Sequence, residues 1–314
     1  MGNNSLSSKT KALLSGNILA LTTAICWGLN EPANKIIIPS DISAQAVALC
    51  RIFGAAVMVW LISLFTKKEA INRSDWKLLW LSSLMMLGFI YVFSLAFNTA
   101  SPIDIAIILT FQPMLVVAIH ALFMREHVGR LEALGMLIAF TGAILVILGG
   151  GSVDSGRFTG DLLAMVCAVT YSVYLVLIEG PSKRYGTVTL MKWGFLLAAI
   201  LSLPLVFTIP SHGKALCEIS LRPMLVLGFI ILFPTVYCYL VTPLAIRRIG
   251  SEILAFYQYL VPVVATVVSL CMHLDSFHWY QPVSFAVIVG GVLLANYAKA
   301  KKVSASGSCR ERIQ

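Results

Sequence analysis

The sequence predicts an all-α integral membrane protein: ten transmembrane helices in two inverted five-helix repeats. Three observations predict it. Only 12% of the 314 residues are charged and 59% are hydrophobic, against about 25% charged in an ordinary soluble domain. The apolar residues gather in ten long runs. Landmarks of the first five runs also recur in the last five.

The runs set the elements. Stretches free of Asp, Glu, Lys and Arg cover 12–30, 52–66, 78–103, 105–124, 133–153, 162–178, 193–213, 223–246, 253–274 and 276–298. The run at 52–66 is extended by apolar residues on the other side of Arg51. Each is close to the ~17–25 residues that a bilayer-crossing helix requires. So few charges cannot coat a surface in water. A soluble enzyme, a disordered chain and a nucleic-acid module are therefore excluded, despite a net charge of +9.

That charge is distributed by side. If the first span starts inside, Lys9, Lys11, Lys67, Lys68, Arg73, Lys77, Arg125, Arg130, Lys183, Arg184, Lys192, Arg247, Arg248 and the five basic residues after 298 all fall inside. The exceptions are Lys35, Arg51, Arg157, Lys214 and Arg222. The positive-inside rule then predicts cytoplasmic termini in a cell (inner) membrane. The first run continues into Glu31, Pro32 and Lys35 without a small-residue cleavage site, so it reads as an uncleaved span.

A duplication organises the spans. At a shift of 149, Pro113 falls on Pro262, Glu126 on Asp275 and Gly142 on Gly291. At a shift of 144, residues 16–27 (GNILALTTAICW) overlay 160–171 (GDLLAMVCAVTY). The repeats are expected over 12–150 and 159–299, with 300–314 a cytoplasmic tail. Five spans per repeat is an odd number, so the second repeat enters the bilayer in the opposite sense. That arrangement places a substrate site near the midplane, between the repeats.

Several functions lack their residues. The seven cysteines contain no C-x-x-C pair, and the five histidines show no metal-ligand spacing. No Ser/His/Asp set, phosphate loop or nucleotide motif is present, so no cofactor is expected. An integral-membrane enzyme would want carboxylates, His or Lys clustered at one membrane face.

The motifs carry a family resemblance. Trp27–Lys35 reads W-G-L-N-E-P-A-N-K, Arg51–Ala56 reads R-I-F-G-A-A, and Phe123–Glu126 reads F-M-R-E. Gly135–Val146 reads G-M-L-I-A-F-T-G-A-I-L-V, Gly160–Ala164 reads G-D-L-L-A, and Tyr259 begins Y-L-V-P-V-V. In this order the chain resembles an EamA-type member of the drug/metabolite transporter superfamily over 12–298. The resemblance implies export or exchange of small metabolites such as amino acids. Uptake, or an enzyme acting on a lipid or small substrate, is the alternative. Asp275 stands where such proteins more often carry Glu, and Glu31-Pro32 where they more often carry apolar residues.

Polar residues inside the spans are the candidate site, because each is costly in lipid. Trp27, Glu31 and Asn34 share a helix face with Asn30 alongside, and Pro32 should kink the helix there. Glu31 either lines a cavity or pairs with Lys35, and Arg51 opens the next span near the same membrane face. Gln112 and Gln258 lie in repeat-related spans, while Tyr91, Tyr171, Tyr174 and Tyr257 offer aromatic walls with a hydroxyl. Asp104 is expected as a capping acid after Ser101 and Pro102, and Asp275 as an interfacial acid facing Trp279. Gly135, Gly142 and Gly149 suit close helix packing or a homodimer. The expected partners are a small-molecule substrate and the lipid bilayer, with no nucleic acid.

Overall fold

The computed structural model describes residues 2–38, 40–124, 129–149, 155–209 and 219–311, as backbone alone at 2–12, 120–121, 123–124, 149, 155, 246, 250–253, 255–256 and 299–311. The described residues form twelve helices: α1 (Gly2–Ile37), α2 (Ala44–Ser63), α3 (Trp76–Ala96), α4 (Pro102–Leu109), α5 (Gln112–Met124), α6 (Arg130–Gly149), α7 (Ser155–Arg184), α8 (Thr187–Ser202), α9 (Leu221–Ile230), α10 (Cys238–Gln258), α11 (Leu260–Cys271) and α12 (Tyr280–Glu311). Short 3₁₀ turns lie at Arg73–Asp75 and Leu203–Thr208, and a π segment at Ile231–Tyr237 joins α9 to α10.

Among the described residues, nine helical stretches are long and apolar enough to cross a membrane, and Leu260–Cys271 is a shorter apolar tenth. Their outer faces present bare apolar side chains, such as Leu61, Leu64, Leu137, Leu225 and Val267. A surface of that kind is stable only against lipid. Helices suit that setting because each satisfies its own backbone hydrogen bonds.

Charged residues are poor markers of where these helices begin. α1 stays helical through Glu31, Pro32 and Lys35 to Ile37. α2 starts at Ala44, where the Ser43 hydroxyl accepts the Ala46 N–H at 3.3 Å. Arg51 therefore sits inside the span and does not open it. α8 begins at Thr187, so Lys192 lies within it, its ammonium over the rings of Trp60 (4.5 Å) and Trp193 (5.2 Å). The helix also runs unbroken through the expected connection at Arg247–Arg248.

Two spans break in the middle. The run at 105–124 is divided between α4 and α5 at Thr110–Phe111, and the run at 253–274 between α10 and α11 at Tyr259. Pro113 is the second residue of α5 and Pro262 the third of α11. In the first turn of a helix, a missing N–H costs nothing. The two repeat-related prolines thus restart their helices at matching places.

Buried apolar residues form two main clusters. One joins α1, α3, α4, α6, α9 and α12; the other joins α2, α3, α7, α8 and the start of α10. Gly135 and Gly142, two of the three recurring glycines of α6, pack inside the chain. A Cβ at Gly135 would lie 2.6 Å from the Gly291 carbonyl, and one at Gly142 would lie 2.9 Å from the Ile288 nitrogen. α6 and α12 therefore cross at backbone distance.

Candidate functional site

The π segment is the centre of the site. It contains Pro234, and the Thr235 hydroxyl donates to the Ile230 carbonyl at 2.9 Å. On one side, Trp27 of α1 donates its indole N–H to the Pro234 carbonyl at 3.2 Å. On the other, Arg51 of α2 donates Nε–H to the Thr235 hydroxyl at 3.0 Å, with its guanidinium 5.5 Å from the Phe93 ring centroid. Extra turns of this kind often mark functional positions in helices.

Glu31 and Arg51 are each only 2% exposed. By helical rise, ~1.5 Å per residue, each lies roughly 10 Å inside the end of its helix on the same face of the membrane. They are within electrostatic range of each other and of Cys238, while Arg51 also has Tyr239 and Cys167 near it. They form no ion pair. Glu31 Oε2, Arg51 Nη1, Asn34 Oδ1 and the Tyr239 hydroxyl are buried without a hydrogen-bond partner. Leaving such groups unsatisfied costs about 1–3 kcal/mol each, and more when they are charged.

Glu31 does not pair with Lys35. The Lys35 ammonium instead donates to the Phe97 and Ala100 carbonyls, both at 3.2 Å, where α3 ends. Asn34 donates its amide N–H to the Asn30 backbone carbonyl at 2.7 Å and to its side-chain oxygen at 3.0 Å.

The other expected residues divide. Tyr171 packs its ring at a tilt against Phe89 at 4.6 Å and against Tyr174 at 5.7 Å, and Tyr174 continues to Tyr239 at 6.2 Å. These rings extend the cluster into α7 and α10. Gln112 contributes its backbone carbonyl, which accepts from Ser172 at 3.2 Å. Gln258 has a buried amide nitrogen without a partner, beside the break at Tyr259. Tyr91 is placed elsewhere, its hydroxyl paired with Thr208 at 2.7 Å on the exposed turn after α8. Tyr257 is elsewhere too, donating to the Asn17 side chain at 3.1 Å.

A second polar cluster closes the end of the molecule where α1 finishes and α4 begins. Ser101 caps α4 as expected, accepting the Ile103 N–H at 3.1 Å. The Asp104 carboxylate, however, does not cap its helix. It pairs with Arg157 of α7 and accepts from Tyr280 (3.3 Å) and Gln281 (3.0 Å) of α12. Asp275 accepts from the Ser101 hydroxyl and from the Ser276 N–H. The opposite end has its own clasp. Asp75 accepts from Arg184 at 2.6 Å and from the Tyr185 hydroxyl at 2.8 Å, and Glu69 accepts the Gly186 N–H at 2.7 Å. Each clasp ties the first half of the chain to the second.

Thr235, Tyr239, Arg157, Asp161, Tyr280 and Gln281 were not among the expected site residues. Pro234 was the one sequence signal for the π segment, and Gly160-Asp161 the one for the α7 cluster. Glu126 lies outside the described residues. Among the described residues, no group of three His, Cys, Asp or Glu is arranged to hold a metal.

The profile of the EamA-like transporter family matches residues 14–148 and again 158–297. The uncharacterized transporter YyaM of Bacillus subtilis is 26% identical over 252 residues, covering 78% of this chain and 82% of its own. Another from the same organism, YdfC, is 23% identical over 264 residues, covering 83% and 84%. An uncharacterized transporter of Archaeoglobus fulgidus is 25% identical over 245 residues, covering 76% and 82%. One solved crystal structure superposes on 91% of this chain and 98% of its own with a TM-score of 0.62 at 19% identity, which shows the fold alone. With two matched repeats around a buried polar centre, this multi-pass membrane protein belongs to the EamA-like transporter family, within the drug/metabolite transporter superfamily.

Proposed function

We propose that this chain is a carrier, not an enzyme, that moves a small polar metabolite across the plasma membrane by alternating access, in the direction of export or exchange. The substrate is an amino acid or related compound bearing both a positive and a negative group. One observation carries this reading: Glu31 Oε2 and Arg51 Nη1 are both buried, unbonded and at one depth, on either side of the π segment. A charge in a dry interior needs a partner. A zwitterion supplies two at once, its ammonium to Glu31 and its carboxylate to Arg51, for which the planar guanidinium is well shaped.

Trp27, Asn30, Asn34, Tyr171, Tyr174, Thr235 and Tyr239 line this site in the proposal, while Gln112 and Gln258 flank it at the two helix breaks. The repeats, 12–150 and 159–299, rock about it. The Asp75 and Asp104 clasps would then open in turn, with the termini and the Asp75 end on the cytoplasmic side. Purified protein in liposomes loaded with a metabolite panel tests the reading. Counterflow of a zwitterion that Glu31→Gln and Arg51→Met each reduce at least tenfold is expected. Counterflow only of uncharged or purely anionic solutes would overturn it.

A further inference from the structure

Three acids and two cations meet at the Asp104 end, and one acid is left over. Asp104 is satisfied by Arg157, Tyr280 and Gln281. Asp275 accepts from Ser101 and has Lys35 within electrostatic range. Asp161, one turn after Arg157 on α7, is 1% exposed, and both of its carboxylate oxygens are buried without a hydrogen-bond partner. Its charged neighbours are Asp104 from α4, Arg157 from α7 and Asp275 from the connection before α12. Tyr280 of α12 feels its charge, and His278 stacks on the Tyr280 ring at 5.4 Å.

An ionised carboxylate in that position has no cation of its own, because Arg157 is committed to Asp104. Holding a lone charge out of water costs several kcal/mol. A single proton removes the cost. The other repeat carries a neutral residue at the corresponding position. Asn17 of α1 occupies the place of Asp161 in the overlay of 16–27 on 160–171, and it accepts from Tyr257 at 3.1 Å. An amide has nearly the shape of a protonated acid and cannot ionise. Asn17 is half-buried and bonded whereas Asp161 is buried and unbonded, so of the two matching positions only the second carries a group that can titrate in a dry setting.

The packing also links that titration to movement. A Cβ at Gly160 would lie 2.5 Å from the Ala100 nitrogen and 2.6 Å from the Thr99 hydroxyl. The start of α7 is thus wedged against the turn from α3 to α4, next to Asp161, which is itself 1% exposed. A movement that withdrew α7 from that turn would expose the carboxylate to water. In water a carboxylate ionises near pH 4.

We propose that Asp161 is a proton-binding site built into this clasp: it takes one proton from water as the end closes and returns it as the end opens. The proton adds to a carboxylate oxygen and leaves from the same atom, so no other bond changes. Closure is then favoured by acid on this side and opening by alkali. In a carrier, each cycle moves with one proton bound or released. That consequence rests on the proposed function; the proton site itself does not.

Two readouts that need no substrate test it, both on the full chain in nanodiscs. Infrared difference spectra should show a protonated-carboxyl band in the wild type that disappears as pH rises and is missing from Asp161→Asn. Hydrogen–deuterium exchange over residues 99–105, corrected for the intrinsic effect of pH, should rise with pH in the wild type. In Asp161→Asn it should stay low and flat. An Asn variant that keeps the wild-type pH response would overturn the proposal, as would its loss in His278→Gln alone. If the Asn variant does not fold, the wild-type band decides: no protonated carboxyl that titrates means no site. A protein that shows the band but carries no tested solute would sink the carrier reading and leave this one standing.

Discussion

Glu31 and Arg51 face one buried cluster from the two sides of the π segment, close enough to feel each other's charge, and do not bond. Arg51 is held by its Nε–H on Thr235 and by the face of Phe93, which leaves Nη1 free. Glu31 is held by no cation at all; its expected partner Lys35 is taken by two carbonyls. Keeping opposite charges apart in a dry site costs stability that a direct pair would recover, so the separation calls for a reason in function.

Neutralising Glu31 should therefore cost function and not folding. Glu31→Gln is expected to insert and purify like the wild type, with an unchanged or higher melting temperature. Removing a lone buried charge can be neutral or favourable. Substrate flux should fall at least tenfold. A variant with normal flux would separate Glu31 from the site, whereas loss of folded protein would make it structural.

Thr235 should behave as a support for Arg51. Thr235→Val keeps the side-chain shape but leaves Nε without its acceptor, at an expected cost of about 1–3 kcal/mol. Thermal unfolding in detergent measures that. Thr235→Ser should retain most of the stability, because the hydroxyl remains.

The clasp at the Asp75 end should bias the molecule when broken. Asp75 is buried and takes two charge-assisted or hydroxyl donors, from Arg184 and Tyr185. Tyr185 also accepts the Asn72 N–H at 3.0 Å. Asp75→Asn and Arg184→Ala should each raise hydrogen exchange over residues 69–75. The double variant should add little to either, since both remove one interaction. Fully additive effects would mean that the two residues act separately.

Close packing of α6 on α12 predicts intolerance at Gly291. A Cβ there would lie 2.4 Å from the Ala139 nitrogen and 2.6 Å from the Gly135 carbonyl, backbone atoms on both counts. Gly291→Ala should destabilise by roughly 1–3 kcal/mol. Gly290→Ala meets nothing within 4 Å and should be tolerated. Folded yield by size-exclusion chromatography distinguishes them.

The orientation has its own test. A cysteine introduced near Ser155 should react with an impermeant thiol reagent in intact cells, once Cys217 is removed, and one near Ser74 should not. Labelling at position 74 alone would invert the topology and place the Asp104 clasp inside.

Nine spans and the shorter apolar helix Leu260–Cys271 were legible because lipid imposes one simple demand, an apolar run of sufficient length. Their internal breaks were not, since Thr110, Phe111 and Tyr259 interrupt the helix without interrupting hydropathy. Pro113 and Pro262 were visible as a repeat pair, but the sequence does not say that both restart helices. The partners of charged groups were the least legible. Asp104 meets Arg157, 53 residues away, and Tyr280, 176 residues away. Nothing local separates that from the capping role its neighbours suggest. Tyr91 and Tyr257 were chosen by residue type and depth, whereas the hydroxyls of Thr208 and the amide of Asn17 decide where they point.

The crossing of α6 and α12 also limits how the molecule can move. At this seam the closing helix of each half lies on the other with almost no side chain between them. Parting them would give up a backbone-to-backbone contact at the glycines whose dense packing lipid chains would not restore. In the carrier cycle proposed above, the seam would then be the pin of a seesaw: the remaining helices would tilt around it, and leverage, not separation, would carry motion from one end of the protein to the other.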